Sequence, residues 1–377
     1  MNPVYLVAAR RTPVAPVNGA FKTLGVSDLA VPVIQALLAQ TGLNPRQIDQ
    51  VILGNALYGG GNPARLIALA AGLPESVPAL TIDTQCCSGL DSLRLGAQAI
   101  ASGQAGVVLA GGVESTSRRA LRAHRPINKD DSPDFYERPA FTPWPDRDPD
   151  MADSAARLAH EHGINLDQQN AWAIDSHAKA LAAQERLISE CVPLAGLNVD
   201  AATRPLSERL ANRTPKVAQW QASAVNVAGT ALQADAAALC LLVSERMLAK
   251  LPAGTRAMRW VTDISGGGPA DAPPLAIVPV VQQLFERNGL SANHFHRIEL
   301  MEAYAVQALV NAYQLGLPLD KLNQGGGALA RGHPIGASGA ILAVRAYHEM
   351  AQAPKGSLAL AAIAAAGGLA SAVVLEA

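Results

Sequence analysis

Two cysteines stand in a short segment whose surroundings predict chemistry. Cys86-Cys87-Ser88-Gly89 follows an apolar run and precedes an amphipathic one, which predicts a turn between a strand and a helix. Exposed backbone N–H groups and the positive end of the helix dipole stabilise a thiolate there, so we expect Cys86 to be a low-pKa nucleophile. The same N–H groups can hold an oxyanion formed by attack on a carbonyl. A buried structural role is the alternative, because free cysteine is commonly a core residue.

A histidine in the last third of the chain is the candidate acid/base partner. His333 lies within GGGALARGHPIGASG (325–339), where so many glycines predict close backbone approach or turns with positive φ. A histidine in such a loop is a candidate general acid or base. A structural histidine is the other interpretation, and this segment alone does not decide between them.

The elements that must position these residues alternate between strand and helix patterns in the first 115 residues. This order predicts an α/β fold with a mainly parallel sheet covered by helices. The region 124–153, rich in Pro, Asp and Arg, predicts an inserted loop region. Strands are predicted at 4–9, 50–57, 79–85, 106–112 and 238–245, and helices at 28–40, 63–72, 89–102 and 166–187.

The second part of the chain repeats the first in outline, which predicts a weak internal duplication. Cys86 and His333 would occupy equivalent places in the two copies, each after a strand and at the start of a helix. Ligands gather at the carboxyl ends of strands in parallel α/β sheets, so pairing of the copies would bring the two residues together. The predicted strands are 258–265, 296–303, 358–364 and 371–377, and the predicted helices are 274–289, 306–315 and 336–350.

Composition excludes several classes of partner. A net charge of -1 and only 4% aromatic residues argue against binding to nucleic acid or to an anionic membrane. The four cysteines lack zinc-ligand spacing and are too few for a disulfide framework in 377 residues, so we expect reduced thiols in the cytoplasm. The uncharged stretch 356–375 predicts two buried strands joined by a glycine turn, with a membrane anchor as the alternative.

Seven blocks of sequence stand out along the chain: RTP (11–13), NPAR (62–65), CCSG (86–89), GGVES (111–115), AWAIDSHAKALAAQ (171–184), MEAYA (301–305) and GHPIGASG (332–339). In this order, and over essentially the whole chain, they resemble landmarks of the thiolase family. The resemblance implies a five-layered α/β/α/β/α fold from two similar halves, with an inserted loop domain over a coenzyme A site. It implies an N-terminal half at 1–115 plus about 220–247, a loop domain at 116–219 and a C-terminal half at 248–377.

The resemblance also implies roles for individual residues. Cys86 is the implied acylated nucleophile and His333 the group that activates it, while the backbone N–H groups of Cys86 and Ala366 form the oxyanion hole. Cys87 stands where the family usually has Ala or Gly, and it is only the runner-up nucleophile. The implied partners are acyl-CoA and further copies of the chain, as a homodimer or homotetramer. Three residues are assigned to the coenzyme A site: Met151, Arg204 and Ala228.

The sequence departs from the family pattern where proton transfer is expected. Ala364 stands in place of the second cysteine, which moves the proton on the α-carbon of the second acyl-CoA. Met301 replaces an Asn that holds a water beside the thioester oxygen, and neither substitute can do the same work. Ala228 replaces a serine of many members, and Asp150 a histidine of some. Glu302 or a water is the substitute base that we expect.

These departures favour one function over two others. The backbone donors needed to acylate Cys86 survive side-chain changes, whereas losing an acid/base group costs about 100- to 10000-fold in rate. The sequence therefore predicts a thiolase-type acyltransferase whose carbon–carbon chemistry is impaired. One alternative is a working acetyl-CoA acetyltransferase or 3-ketoacyl-CoA thiolase with altered proton-transfer residues. The other is a non-catalytic subunit that joins an unlike subunit in an acyl-transfer complex. No motif demands a metal or a cofactor besides the coenzyme A thioester substrate.

Overall fold

The computed structural model describes residues 2–377. Its strands are β1 (Val4–Arg11), β2 (Ala15–Pro16), β3 (Gln50–Gly54), β4 (Ala79–Ile82), β5 (Val107–Ser115), β6 (Ala123–His124), β7 (Asp134–Phe135), β8 (Lys216–Trp220), β9 (Ser223–Asn226), β10 (Ala234–Ser244), β11 (Met258–Gly267), β12 (Phe295–Leu300), β13 (Leu358–Ala365) and β14 (Leu369–Glu376). Its α-helices are α1 (Val26–Thr41), α2 (Pro63–Ala70), α3 (Ser88–Ala101), α4 (Met151–Glu161), α5 (Leu166–Ala182), α6 (Gln184–Glu190), α7 (Glu208–Ala211), α8 (Glu245–Leu248), α9 (Ile277–Asn288), α10 (Ala305–Gln314), α11 (Ala328–Arg331) and α12 (Ile335–Glu349).

The main sheet is mixed, so the expectation of a mainly parallel sheet is wrong. Its N-terminal part has the order β1-β10-β5-β3-β4, in which only the β5-β3 and β3-β4 pairs are parallel. The chain leaves this sheet at the end of β5 and returns at the same end, where Asp235 pairs with Ser115. Strand β10 must therefore run antiparallel to β5, which an apolar pattern cannot reveal.

The C-terminal part of the sheet has the order β12-β13-β14-β11 and joins the first part through one short contact. Strand β1 pairs with β11 only at Tyr5 with Arg259 and Leu6 with Met258. Strands β13 and β14 form an antiparallel hairpin across a tight turn in which Gly367 and Gly368 have φ of 75° and 76°. The two predicted buried strands in 356–375 are therefore present. Within residues 2–377, no helix is long and apolar enough to cross a membrane.

The fold has five layers, as the resemblance implied, and the apolar clusters lie between them. One cluster joins Leu90 of α3 and Ile341 of α12 to the inward side chains of both parts of the sheet. Helices α1 and α2 cover the outer face of the N-terminal part, and α9 and α10 cover that of the C-terminal part. Each fully buried leucine or isoleucine in such a cluster contributes about 1.5–3 kcal/mol. The central pair, α3 and α12, is thus held between the two parts of the sheet.

Helices α3 and α12 approach each other closely because glycines face each other at their contact. A Cβ on Gly89 would lie 2.7 Å from the nitrogen of Ala340, and one on Gly339 would lie 2.7 Å from the nitrogen of Leu90. Cys86 precedes α3 and His333 precedes α12. The glycine contact therefore fixes the distance between the segments that carry the two candidate residues.

The region between β5 and β10 adds helices and two small hairpins. The hairpin of β8 and β9 packs on α4, through an apolar cluster that includes Ala155 and Val225. The single helix expected at 166–187 is interrupted at Ala183, which ends α5 and precedes α6. The domain boundaries themselves, 1–115 with about 220–247, 116–219 and 248–377, stay predictions.

Candidate active site

Cys86 lies in a strained turn directly before α3. It is part of a short 3-10 turn, Gln85–Cys87, that follows β4. Gln85 has φ of 56°, in the left-handed region that costs energy for any residue except glycine, and its backbone N–H donates to Asp83 Oδ1 at 2.9 Å. The turn leaves the Cys86 side chain half-buried, whereas Cys87 is fully buried with its sulfur 3.6 Å from the carbonyl of Ile363. The geometry therefore favours Cys86 over its neighbour as the reactive thiol.

The Cys86 sulfur and the imidazole of His333 are in contact. The distance from Cys86 Sγ to His333 Nε2 is 3.3 Å. On the far side of the ring, His333 Nδ1 lies 2.6 Å from Ser338 Oγ, and Ser338 donates its hydroxyl hydrogen to the carbonyl of Pro334 at 2.9 Å. Because the Ser338 hydrogen is already used, its oxygen accepts from Nδ1–H. This arrangement leaves the lone pair of Nε2 facing the thiol, which is the tautomer that a general base requires.

Burial keeps this pair neutral in the free protein. It raises the pKa of Cys86 to about 12 and lowers the pKa of His333 to about 4. The expectation of a low-pKa thiolate is therefore wrong, because desolvation of the sulfur outweighs the favourable end of α3. The thiol must instead lose its proton to His333 as it attacks.

Two backbone N–H groups point at the Cys86 sulfur. Hydrogen bonds from the N–H of Ala366 and from that of Cys86 itself lower the pKa of the thiol, against the larger effect of burial. Ala366 stands at the start of the turn between β13 and β14. The hairpin of the C-terminal part and the turn before α3 thus supply one donor each to the same atom.

The two substitutions expected to remove proton transfer, Met301 and Ala364, occupy apolar surroundings. Met301 follows β12 and is buried in the central cluster against which Cys86 also packs. Ala364, near the end of β13, is half-buried and packs against the cluster under α9. The side chain of Met301 offers no hydrogen to donate and that of Ala364 has no polar atom, so neither moves a proton.

Glu302, named as a substitute base, is fully engaged elsewhere. Its Oε1 accepts from Trp172 Nε1 at 3.2 Å and from Asn323 Nδ2 at 2.8 Å, and its Oε2 accepts from Ser176 Oγ at 2.7 Å. These bonds tie the segment after β12 to α5. The carboxylate therefore joins the inserted region to the C-terminal part, and its contacts do not include Cys86 or His333.

The three residues assigned to coenzyme A lie around the inserted region. Met151 is the half-buried first residue of α4, and Arg204 is exposed with its backbone N–H donating to His177 Nδ1 at 3.3 Å. Ala228 is buried in a loop tied to α10, because the N–H of Ala305 donates to the carbonyl of Gly229 at 2.8 Å. The roles of Met151, Arg204 and Ala228 in binding coenzyme A stay predictions.

Two polar residues of the site were not singled out from the sequence. Ser338 lies five residues after His333, and the predicted helix from 336 would have placed it one turn on, facing back toward the ring. Glu114 belongs to the GGVES block and lies close enough to Cys86 to raise the pKa of the thiol. In residues 2–377, all four cysteines are free and no three His, Cys, Asp or Glu side chains form a metal-binding group.

Family models match almost the whole chain. Residues 4–245 match the thiolase N-terminal domain and residues 258–377 match the thiolase C-terminal domain. YhfS of Bacillus subtilis (strain 168), which is provisionally named an acetyl-CoA C-acetyltransferase, is 37% identical over 382 residues that cover 100% of this chain and 99% of YhfS. A protein of Staphylococcus aureus (strain COL), provisionally named an acetyl-CoA acyltransferase, is 35% identical and is matched over 93% of both chains.

Solved structures agree with these sequence matches. The Acat5 thiolase from Ascaris suum in complex with coenzyme A superposes with a TM-score of 0.91, at 28% identity and 99% coverage of both chains. Human mitochondrial 3-ketoacyl-CoA thiolase in complex with CoA gives a TM-score of 0.89, at 28% identity, over 100% of this chain and 98% of that one. The chain therefore shares its overall fold with these two thiolases.

Proposed function

Because the chain belongs to the thiolase family and carries a cysteine sulfur 3.3 Å from a histidine Nε2, we propose that this acyltransferase forms an acyl-Cys86 intermediate from an acyl-CoA. That sulfur–nitrogen contact is the observation that carries the proposal. The neutral pair, the orienting Ser338 and the two N–H donors at the sulfur support it. A subunit that only scaffolds other proteins has no need for this arrangement.

Acyl transfer to Cys86 proceeds in two proton-balanced steps. Cys86 Sγ attacks the thioester carbonyl carbon while the thiol proton passes to His333 Nε2, and the resulting oxyanion accepts hydrogen bonds from the N–H groups of Cys86 and Ala366. The carbon–sulfur bond to coenzyme A then breaks, and the leaving thiolate takes the proton back from His333. Acyl-Cys86 and free coenzyme A are the products.

Carbon–carbon bond formation or cleavage is the step for which the site is poorly equipped. It needs a group that moves a proton on the α-carbon, and Ala364, Met301 and the engaged Glu302 supply none. We therefore propose transfer of the acyl group to an acceptor other than the α-carbon of a second acyl-CoA. The names of the relatives favour the second candidate, a working acetyl-CoA acetyltransferase or 3-ketoacyl-CoA thiolase, which would need a water as the proton carrier.

The coenzyme A arm is proposed to enter between the inserted region and the C-terminal part. The exposed guanidinium of Arg204 suits a phosphate of the nucleotide, and the small side chain of Ala228 leaves room for the pantetheine arm. Met151, at the start of α4, would contact the acyl group. Two structural neighbours were solved in complex with coenzyme A, which supports coenzyme A as the ligand.

Intact-mass spectrometry tests the function directly. The parent and Cys86→Ala are mixed with acetyl-, longer acyl- and 3-ketoacyl-CoA, and an adduct on the parent that the variant lacks is the expected result. Cleavage of 3-ketoacyl-CoA in the presence of free coenzyme A would refute impaired carbon–carbon chemistry and establish a working thiolase. No adduct with any thioester, in folded protein, would refute the acyl-enzyme and favour the non-catalytic subunit.

Assembly with a second copy of the chain belongs to the same proposal. Strand β4 is an edge of the sheet, and three leucines beside or on it are exposed: Leu66, Leu69 and Leu80. A dimer would cover this edge, in the cytoplasm where the four thiols stay reduced. A single-chain mass in light scattering at micromolar concentration would refute the dimer.

A further inference from the structure

We propose that Glu114 is a positioning residue for the reaction at Cys86, because its carboxylate fixes the first turn of α12 and, through that turn, the imidazole of His333. The inference rests on the proposed function only in that both concern the same pair of side chains. Glu114 touches neither Cys86 nor His333 by a hydrogen bond. Its influence runs through the backbone.

The Glu114 carboxylate binds four N–H donors from two separate segments. Its Oε2 accepts from the backbone N–H of Gly336 at 2.9 Å and from that of Ala56 at 3.1 Å. Its Oε1 accepts from Asn55 Nδ2 at 2.9 Å and from the N–H of Leu57 at 3.3 Å. One buried side chain on β5 thus joins the loop after β3 to the start of α12.

The start of α12 depends on this outside partner. The residue before the helix is Pro334, which offers no side-chain cap, so the first-turn N–H of Gly336 would otherwise be unsatisfied. A carboxylate at a helix N-terminus is also favoured by the helix dipole. Glu114 therefore supplies, from another strand, the capping group that the helix sequence lacks.

Close packing around Gly336 fixes the position of the first turn of α12 relative to the Glu114 carboxylate. A Cβ on Gly336 would lie 2.8 Å from Asn55 Cα and 3.0 Å from Glu114 Oε2. The carbonyl of Gly336 is equally confined, since a Cβ on Gly112 would lie 2.0 Å from it and one on Gly89 2.8 Å. Because neighbouring backbone atoms confine this residue, a first turn released from the Glu114 carboxylate has no room to rearrange locally and moves as a unit.

The same turn carries the His333 ring. Ser338, which holds Nδ1, lies two residues after Gly336 in the first turn of α12, and the N–H of His333 donates to the carbonyl of Leu232 at 2.7 Å. A shift of the turn moves Ser338 relative to the fixed Leu232 carbonyl and rotates the ring. The distance from Nε2 to the Cys86 sulfur then changes, although no atom of the pair has been altered.

The negative charge of Glu114 and its positioning of His333 have opposite effects on the reactivity of Cys86, so one substitution distinguishes them. Asp83 and Cys86 lie near enough to Glu114 to interact with its charge, and a charged Glu114 raises the pKa of the Cys86 thiol. If Glu114 acted only as a charge, Glu114→Gln would make Cys86 more reactive. If it positions His333, the same substitution makes Cys86 less reactive, because a glutamine amide cannot accept from all four donors.

Alkylation of Cys86 by iodoacetamide, followed by intact mass, measures this reactivity without any acyl-CoA. We expect Glu114→Gln to slow alkylation at least tenfold. We also expect His333→Ala to slow alkylation more when it is made in the parent than when it is added to Glu114→Gln. Where acyl-CoA is turned over, kcat should fall while KM changes less than threefold. Glu299→Gln is the matched control: Glu299 is another fully buried glutamate, on β12, and we expect the parental rate.

Faster or unchanged alkylation in Glu114→Gln would overturn the inference, as would equal slowing in Glu299→Gln. If Glu114→Gln does not fold, Glu114→Asp replaces it, since the carboxylate then falls one methylene short of its donors, and the same slowing is expected. The proposed function and the positioning role can fail separately. If acyl-CoA does not acylate the parent but alkylation of Cys86 still depends on Glu114, the proposed function is refuted and the positioning role is supported.

Discussion

The hydroxyl of Ser338 selects which nitrogen of His333 carries the proton, so its removal should disable the base without touching the ring. In Ser338→Ala the buried Nδ1–H loses its acceptor at 2.6 Å. An unsatisfied buried donor costs about 1–3 kcal/mol. The imidazole can avoid that cost by moving the proton to Nε2, and the nitrogen that faces the Cys86 sulfur then has no free lone pair.

The magnitude follows from this competition between tautomers. The active tautomer becomes less favourable by about 1–3 kcal/mol, which corresponds to about a 5- to 150-fold loss of rate. We expect this loss in the second-order rate constant for iodoacetamide alkylation of Cys86 at pH 8, and in Cys86 acylation. Cys86→Ala gives the background from the other three cysteines, which are buried.

A buried hydroxyl elsewhere provides the control. Thr41→Val removes a hydroxyl at the end of α1 that donates to the carbonyl of Leu37 at 2.9 Å, and it should lose stability but keep the parental alkylation rate. An alkylation rate in Ser338→Ala within twofold of the parent would refute the assignment of the tautomer. A rate equally reduced in Thr41→Val would show that general loosening of the fold, not the ring, is responsible.

Three further predictions concern stability, packing and binding. Burial raises the pKa of Glu299 to about 7 from 4.5, so its contribution to stability is complete below pH 4.5 and is lost as the pH rises through 7. The free energy of unfolding from urea titration should therefore fall by about 2.5 kcal/mol between pH 5 and pH 8, and Glu299→Gln should remove that fall. Gly112→Ala should lower stability by about 1–3 kcal/mol or more and slow Cys86 alkylation, because its Cβ would lie 2.0 Å from the carbonyl of Gly336; a parental melting temperature would contradict this. Arg204→Ala should raise KM for acyl-CoA about 2- to 5-fold, as expected for one exposed charge, and leave Cys86 alkylation unchanged; an unaltered KM would remove Arg204 from the site.

The sequence by itself determined which segments form strands and helices, and it identified Cys86 and His333 as the candidate reactive pair. Strand and helix patterns placed the strands of the main sheet, except the two-residue β2, and the helices that cover it, because apolar periodicity is local and survives folding. The small hairpins, α4 and the four-residue helices were not predicted. Ordered blocks of sequence were enough to identify the family and its five-layered fold, which the family models and solved structures confirm. The loss of proton-carrying side chains at Ala364 and Met301 was likewise visible, since the chemistry that a side chain lacks does not depend on its surroundings.

Only the tertiary structure decided strand direction, ionisation and the partners of buried groups. Strand β10 runs against β5 because the chain re-enters the sheet where it left, and no local pattern records that return. The pKa of Cys86 rises rather than falls because desolvation depends on what covers the sulfur. Glu302 and Glu114 look alike as acidic residues in family blocks, yet one ties α5 to the strand end and the other caps α12. Their roles are set by donors more than 100 residues away in the chain, which come together only when the two halves close around α3 and α12.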